Sequence, residues 1–450
     1  MTLAPGRAPR RTHVILVFLV LLPTLLSAQF SGKDRRRGET MLEVTLDDIR
    51  RNFWDPTLKG VDLDSLETAG KAAIAAATSN AQINGIIAKI FLALDDSHTS
   101  FYPPTFAGRI ELGWTGTPIG DSVYVVEVKP GSPADSAGLK VGDRILSVEG
   151  WGVERSRWYT LTYLIQTLQP RERLALVIQR GEEAPLQLDV PTIFIPGRRF
   201  YDLSAEGGGT DWYQLIRESQ SRYQGWDSRF AEVGDSTLYW RLRAFTVSPD
   251  YIGECLRRAR GKQTLILDLR DNPGGHVVTL TALLARIARP DQVGDTVFVV
   301  RDRKKASAEV ITRVRDSERF TGRVIVLINY GSASASEAFA DAVQRLERGM
   351  VLGDRSGGYL TMALGYEHLT PGDIGVFYGA GIAIAMLERP DGSRIEGHGV
   401  LPDELITPSA EDLMAERDPV LARAIQIVTG HYDPKEAWTM AERSRAARER

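Results

Sequence analysis

The stretch that most constrains this chain is a junction. An apolar run over 324–328 gives way to Gly331-Ser332-Ala333-Ser334-Ala335-Ser336-Glu337, and a helical segment over 338–346 follows. Strand, small-residue turn and helix in that order commit the surrounding chain to an α/β arrangement. A serine at such a turn can expose its hydroxyl, and the helix's free N–H groups and positive dipole end favour a developing oxyanion. That is the local geometry an acyl-transfer nucleophile needs. Small residues also open helices as plain turn and cap chemistry, so the junction alone leaves both readings open.

The same alternation extends on either side. Segments 238–245, 264–269 and 297–300 are strand-like, 250–260 and 277–288 are helical, and Asp271-Asn272-Pro273-Gly274-Gly275 closes the second strand. This pattern predicts a largely parallel sheet covered by helices. Upstream, residues 42–95 read as helices, with Ile86, Ile87, Ile90, Phe91 and Leu94 on helical spacing, after a basic mobile linker over 33–37. Residues 106–195 change to short strands and turns: strands over 123–128, 144–148 and 174–180, a short helix over 132–137 closed by Gly138, and a helix over 161–168. The tail from 411 is helical and charged.

At 450 residues the chain predicts two or three domains, and 43% hydrophobic with 25% charged residues is a globular composition. A net charge of −3 gives no electrostatic case for nucleic acid. Arg7, Arg10 and Arg11 precede an apolar run over 14–26 and then Leu26-Ser27-Ala28 before Gln29. This reads as an export signal cleaved after Ala28, with an uncleaved anchor as the alternative, and predicts a periplasmic or extracellular protein without a stable membrane span after cleavage. The lone Cys255 sits in the apolar stripe of a helix and is expected in the core. No Cys/His cluster has metal-ligand spacing, and Gly207-Gly208-Gly209 lacks the strand–helix context of a phosphate loop, so no cofactor or metal is expected.

Two resemblances then sharpen the reading. Gly131-Ser132-Pro133-Ala134 through Gly138-Leu139-Lys140-Val141-Gly142-Asp143-Arg144-Ile145-Leu146-Ser147-Val148-Glu149-Gly150 resembles a PDZ domain. Such a domain adds a peptide as an extra strand and holds its terminal carboxylate on backbone N–H groups. The candidate loop here is Leu112-Gly113-Trp114. Around it, Leu94-Asp95-Asp96-Ser97-His98-Thr99, Leu267-Asp268-Leu269-Arg270-Asp271-Asn272-Pro273-Gly274-Gly275, the 331–337 junction, and Ile395-Glu396-Gly397-His398-Gly399-Val400-Leu401-Pro402-Asp403 are similar, in order, to the motifs of the C-terminal processing (tail-specific) serine proteases and the related tricorn core protease. The resemblance implies a signal peptide over 1–28, a helical region over 29–105, a PDZ-like domain over 106–196, an α/β protease core over 197–410 with a crotonase/ClpP-like sheet, and a helical tail over 411–450.

It also implies roles. Ser334 would be the nucleophile, with Ser332 and Ser336 as packing or capping residues. The N–H groups of Ala335 and of Gly274 or Gly275 would hold the oxyanion, glycine allowing the closest backbone approach. Asp268 and Arg270 would pin the glycine loop. In the processing proteases a lysine base follows the nucleophile inside a Gly-Lys pair; here Tyr359 stands at that place, and no lysine occurs between Lys305 and Lys435. The tricorn-like branch instead pairs the serine with a histidine oriented by a serine and a glutamate, and His98, Ser97 and Glu396 fit those positions. Imidazole titrates near working pH and suits the task. His276 and His398 are rival imidazoles. The expected function is an exported serine endopeptidase acting on flexible or C-terminal protein segments through an acyl-enzyme. The alternatives are a catalytically inactive PDZ scaffold and a hydrolase or acyltransferase for something other than protein.

Overall fold

The computed structural model describes residues 30–104, 108–196, 228–369 and 377–446. The expected export signal and the Gly207-Gly208-Gly209 run lie outside them. The centre is a sheet in which Thr237–Arg241, Thr264–Asp268, Arg323–Ile328, Gly349–Gly353 and Glu404–Leu405 run parallel, with Arg229–Val233 antiparallel at one edge. Side chains alternate across a strand. Leu265 and Leu267 therefore join the core under helices Pro249–Arg257, Val277–Ile287 and Ala335–Arg345, while Ile266 joins Tyr239, Ile325 and Leu327 under helix Pro419–Thr429. Both faces are covered, which is why Thr264–Asp268 is buried at every position.

A second sheet is antiparallel. Strand Phe377–Glu388 pairs with Ser100–Tyr102, Thr296–Asp302 and Thr361–Leu369, and Thr296–Asp302 also pairs with Ala306–Val310. The segment over 297–300, expected inside the parallel alternation, belongs here: its neighbours in space come from 306–310 and 385–388, a pairing that local pattern does not encode. Helices Gly32–Asn52 and Asn80–Leu92 pack on this sheet through Leu42, Leu46, Ile49, Ile87 and Phe91 against Ala380, Ile382 and Met386, and helix Leu63–Ala76 packs on both of them. The stretch 33–37, expected as a mobile linker, is the first turn of a helix. Ser31 and Asp34 form a capping box there, and Arg37 pairs with Asp34 at 2.6 Å.

Among the described residues the small β module is a six-stranded antiparallel sheet in the order Trp114–Ile119, Ser122–Val128, Arg144–Val148, Arg173–Gln179 and Leu186–Pro191, with Trp151–Gly152 also paired to Arg144–Val148 and helix Trp158–Tyr163 continuing as a π-helical turn to Leu168. Gly108–Glu111 and Ile193–Pro196 pair antiparallel where the chain enters and leaves it. Arg155 fastens the module to the core. Its guanidinium is buried on Asp354 at 2.8 Å and lies over the Tyr330 ring, and Asp354 also accepts from the Gly120 N–H.

Candidate active site

Two loops meet at the C-terminal ends of neighbouring parallel strands. Thr264–Asp268 and Arg323–Ile328 pair in register, so the segments that follow them, 269–275 and 329–334, emerge side by side. Asn272 joins them. Its carbonyl accepts from Ala333 N and Ser336 Oγ, and its side chain reaches the Leu242 carbonyl and the Gly274 N–H. Ser332 Oγ donates to the Leu269 carbonyl at 2.8 Å, so Ser332 and Ser336 are both buried fasteners, as expected.

Ser334 sits at the head of helix Ala335–Arg345 with φ 55° and ψ −118°, a backbone conformation that costs a non-glycine residue on the order of 1–3 kcal/mol. Hydrogen bonds hold it there: the Ser334 N–H donates to the Tyr359 carbonyl at 2.9 Å and to Glu337 Oε2 at 3.0 Å. Gly274 lies directly against it. A Cβ on Gly274 would fall 2.6 Å from Ser334 Cβ and 2.7 Å from Ala335 N, so only glycine fits. The two glycines differ in one respect. The Gly274 N–H is spent on Asn272 Oδ1 at 2.9 Å, whereas the N–H groups of Gly275 and Ala335 make no hydrogen bond among the described residues.

The imidazole arrives from the other side. His98 follows the N-terminal helices and is held by its backbone N–H on Asp96 Oδ1 at 3.1 Å. Ser97 Oγ lies 2.8 Å and Thr361 Oγ1 3.0 Å from Nδ1, and Nε2 makes no hydrogen bond among the described residues. Burial pushes the His98 pKa down, and the Asp96 charge draws it partly back. Glu396 reaches the Ser97 backbone N–H at 3.2 Å and the Leu360 N–H at 2.5 Å, and burial raises its carboxyl pKa. The carboxylate therefore meets Ser97 at its backbone, the Ser97 side chain draws its pKa down as well, and among the described residues it makes no hydrogen bond to the imidazole ring. Ser334 Oγ likewise makes none to His98 among the described residues; such contacts commonly tighten only when substrate is bound.

One tripeptide joins the two halves. The Tyr359 carbonyl takes the Ser334 N–H, the Leu360 N–H holds Glu396, and the Thr361 hydroxyl touches His98. Beneath it lies Glu337, fully buried, whose carboxyl accepts from Ser334 N, Ser356 Oγ, Gly358 N and Tyr359 N. Burial raises its pKa to about 7 against those four donors. Tyr359, one of those donors, is the residue expected at the place of a lysine base. Its hydroxyl meets that of Tyr330, its ring packs 5.5 Å from Tyr159 of the β module, and burial keeps the phenol protonated.

His276 is exposed at the start of helix Val277–Ile287, and no hydrogen bond of its ring is found among the described residues. His398 is exposed with Nδ1 3.0 Å from the Glu396 carbonyl. In the β module, Leu112 and Trp114 turn their side chains into the core, and Gly113 (φ 72°) places its carbonyl on the Lys129 N–H. The N–H groups of Leu112 and Gly113 make no hydrogen bond among the described residues. Sequence reasoning assigned no role to Glu337, Thr361 or Asn272. The Ser-x-x-Glu spacing of a capping box marks Glu337, whereas nothing local marks Thr361.

Comparison with known proteins places this arrangement. Residues 236–406 match the model of peptidase family S41, and residues 124–180 that of the PDZ domain. The carboxyl-terminal-processing protease of Synechocystis sp. is 25% identical over 364 residues, covering 76% of this chain and 76% of that one. The chloroplastic C-terminal processing peptidase of Tetradesmus obliquus is 26% identical over 352 residues, covering 73% and 68%. The crystal structure of mature CPAF superposes with a TM-score of 0.61 at 15% identity, over 89% of this chain and 99% of that one, a likeness of fold. Fold and matches define the class, a serine-type peptidase carrying a PDZ domain. Residues 236–406 thus carry the signature of peptidase family S41, and the chain is similar to the carboxyl-terminal-processing proteases.

Proposed function

We propose that this peptidase is exported and cleaves flexible or C-terminal protein segments through an acyl-enzyme on Ser334, with His98 as general base. The observation that carries this reading is the tripeptide 359–361, which touches Ser334, Glu396 and His98 at once. Nδ1–H donates to the Ser97 or Thr361 hydroxyl, so Nε2 is the basic nitrogen. It takes the Ser334 proton as Oγ attacks the scissile carbonyl, then gives it to the leaving amine. Water, deprotonated at the same nitrogen, releases the acyl group. The N–H groups of Gly275 and Ala335 hold the oxyanion, each worth roughly 10²–10³ in rate. Asp96 and Glu396 place negative charge beside the transient imidazolium. The PDZ domain recruits the substrate on the N–H groups of the 112–114 loop.

Export rests on the basic and apolar N-terminal sequence; among the described residues no helix is long and apolar enough to cross a membrane. The test is fluorophosphonate labelling of residues 29–450 beside Ser334→Ala and His98→Ala. Labelling of the wild type lost in both variants is the expected result. Loss in Ser334→Ala alone would move the base to His276 or His398. A folded wild type that never labels, even with a PDZ-binding peptide, would favour the inactive scaffold.

A further inference from the structure

The C-terminal helices lie beyond the residues that match the peptidase family, yet one of their side chains enters the core beneath the active-site loops. Arg270 immediately precedes the 271–275 loop. Its guanidinium is gripped on two edges: Nε and Nη2 lie 3.0 and 2.7 Å from the Asp268 oxygens, and Nη1 and Nη2 lie 2.8 Å from the two oxygens of Asp418. All three side chains are buried, with exposures of 12% for Arg270, 0% for Asp268 and 6% for Asp418. Asp418 starts helix Pro419–Thr429 and also caps it, accepting from Leu421 N at 2.9 Å, and its own N–H is tied to the Pro434 carbonyl of the next helix. Capping occupies one oxygen; the bidentate grip on Arg270 occupies both.

Beyond Arg270 the loop is suspended. The Asp271 N–H rests on Asn329 Oδ1, its carboxylate meets Arg241 at 3.1 Å, and Asn272 carries the bonds to 333 and 336. The loop is thus fixed at Asn272 on one side and at Arg270 on the other, and the glycines lie just beyond. Burial works against charge on Asp268, but Arg270 and Arg241 hold its carboxyl well below the usual range, so Asp268 remains the ionised floor of the grip. Asp268 has Tyr239 as a further partner at 2.8 Å. Arg270, deprived of Asp418, would keep a single counter-charge for a guanidinium that water barely reaches.

We propose that Asp418 is a positioning residue for the reaction: through Arg270 it sets the glycine loop that presents Gly274 and Gly275 to Ser334. This rests on the reading of those glycines given above. The tail over 411–446 is then part of the peptidase and not an appendage to it.

The test compares Asp418→Asn, Asp418→Glu and, as a packing control on the same helix, Leu421→Ala, whose apolar side chain is buried under the sheet. Each full-length variant is measured for kcat and KM on a flexible peptide, for the maximal fluorophosphonate labelling rate, for Tm, and for amide exchange over 271–276. Asp418→Asn should lose 10- to 100-fold in kcat and in labelling rate with KM within threefold, and exchange over 271–276 should accelerate. Asp418→Glu should recover most of the loss, and Leu421→Ala should lower Tm as much or more while keeping kcat. Equal kcat losses in Asp418→Asn and Leu421→Ala, or unchanged exchange over 271–276 in Asp418→Asn, would overturn the proposal. If the wild type itself does not label, the reading of the serine site fails, and the exchange comparison alone still decides the grip.

Discussion

The two halves of the candidate site are built on different principles. The half proposed to carry the nucleophile is backbone: a strained Ser334, a glycine that nothing larger can replace, and N–H groups at a helix start, all on loops that leave adjacent strands of one parallel sheet. The half proposed to carry the base is side chain: Ser97 and His98 from the end of the helical lead, Thr361 from the antiparallel sheet and Glu396, with partners 263 and 299 positions apart in sequence. Steric exclusion therefore governs the first half and electrostatics the second. A rigid strand end delivers a backbone group with little side-chain entropy to lose, whereas an imidazole must be oriented by hydroxyls and charged by carboxylates.

The sharpest way to break that contrast is Gly274→Ala. The added methyl meets backbone and Ser334 Cβ, so activity should fall by at least about 10³-fold, more than one oxyanion donor accounts for, with stability down by about 1–3 kcal/mol. An active Gly274→Ala enzyme in a peptide assay would show that steric exclusion does not govern this half.

Glu337 lies between the halves, and Glu337→Gln should cost roughly 10-fold in kcat because an amide cannot accept all four donors. Its stability effect has a definite sign. The folded-state pKa of about 7 stands above the ordinary glutamate value of 4.5, so the fold binds this proton more tightly than the unfolded chain does. The contribution is fully present below about pH 4.5 and is lost as pH rises through 7, a span worth on the order of 3 kcal/mol. Urea unfolding at pH 5 and pH 8 should reveal that slope in the wild type and its absence in Glu337→Gln. A slope of equal size in both proteins would assign it to another group.

On the base side the expected effects are electrostatic and smaller. Burial disfavours the His98 imidazolium, so the acid limb of kcat/KM should lie below the ordinary imidazole range, with activity lost as pH falls through it. Removing the charge with Asp96→Asn should move that limb lower still, because the group that draws the pKa back up is gone. A limb that stays put would remove Asp96 from the account. The smallest effect is reserved for Tyr359→Phe. If this phenol is packing and not a base, activity should stay within about threefold and stability should fall by about 1 kcal/mol, the worth of the bond to Tyr330. A loss of a hundredfold or more in kcat would return Tyr359 to the chemistry.

How much of this was legible beforehand follows the same division. Ser334, the glycine pair and the supporting roles of Ser332 and Ser336 lie in two short motifs, because strand-to-turn geometry is local and demands particular small residues. The antiparallel placement of the 297–300 strand and the helical start at 33–37 differ from what local pattern predicts. The first depends on partners from distant segments, and the second on a capping box inside a basic stretch.

The sequence by itself determined the α/β character, the family motifs and the absence of a lysine at the usual position. Small-residue turns, apolar runs and residue identities are properties of neighbours along the chain. Only the tertiary structure decided which glycine N–H is left without a hydrogen bond among the described residues, that Tyr359 is wedged between Tyr330 and Tyr159, and that Glu337, Thr361 and Asp418 converge on the loops. Those outcomes depend on burial and on contacts between segments hundreds of residues apart, where desolvation and hydrogen-bond partners are set by the packed fold and by nothing local.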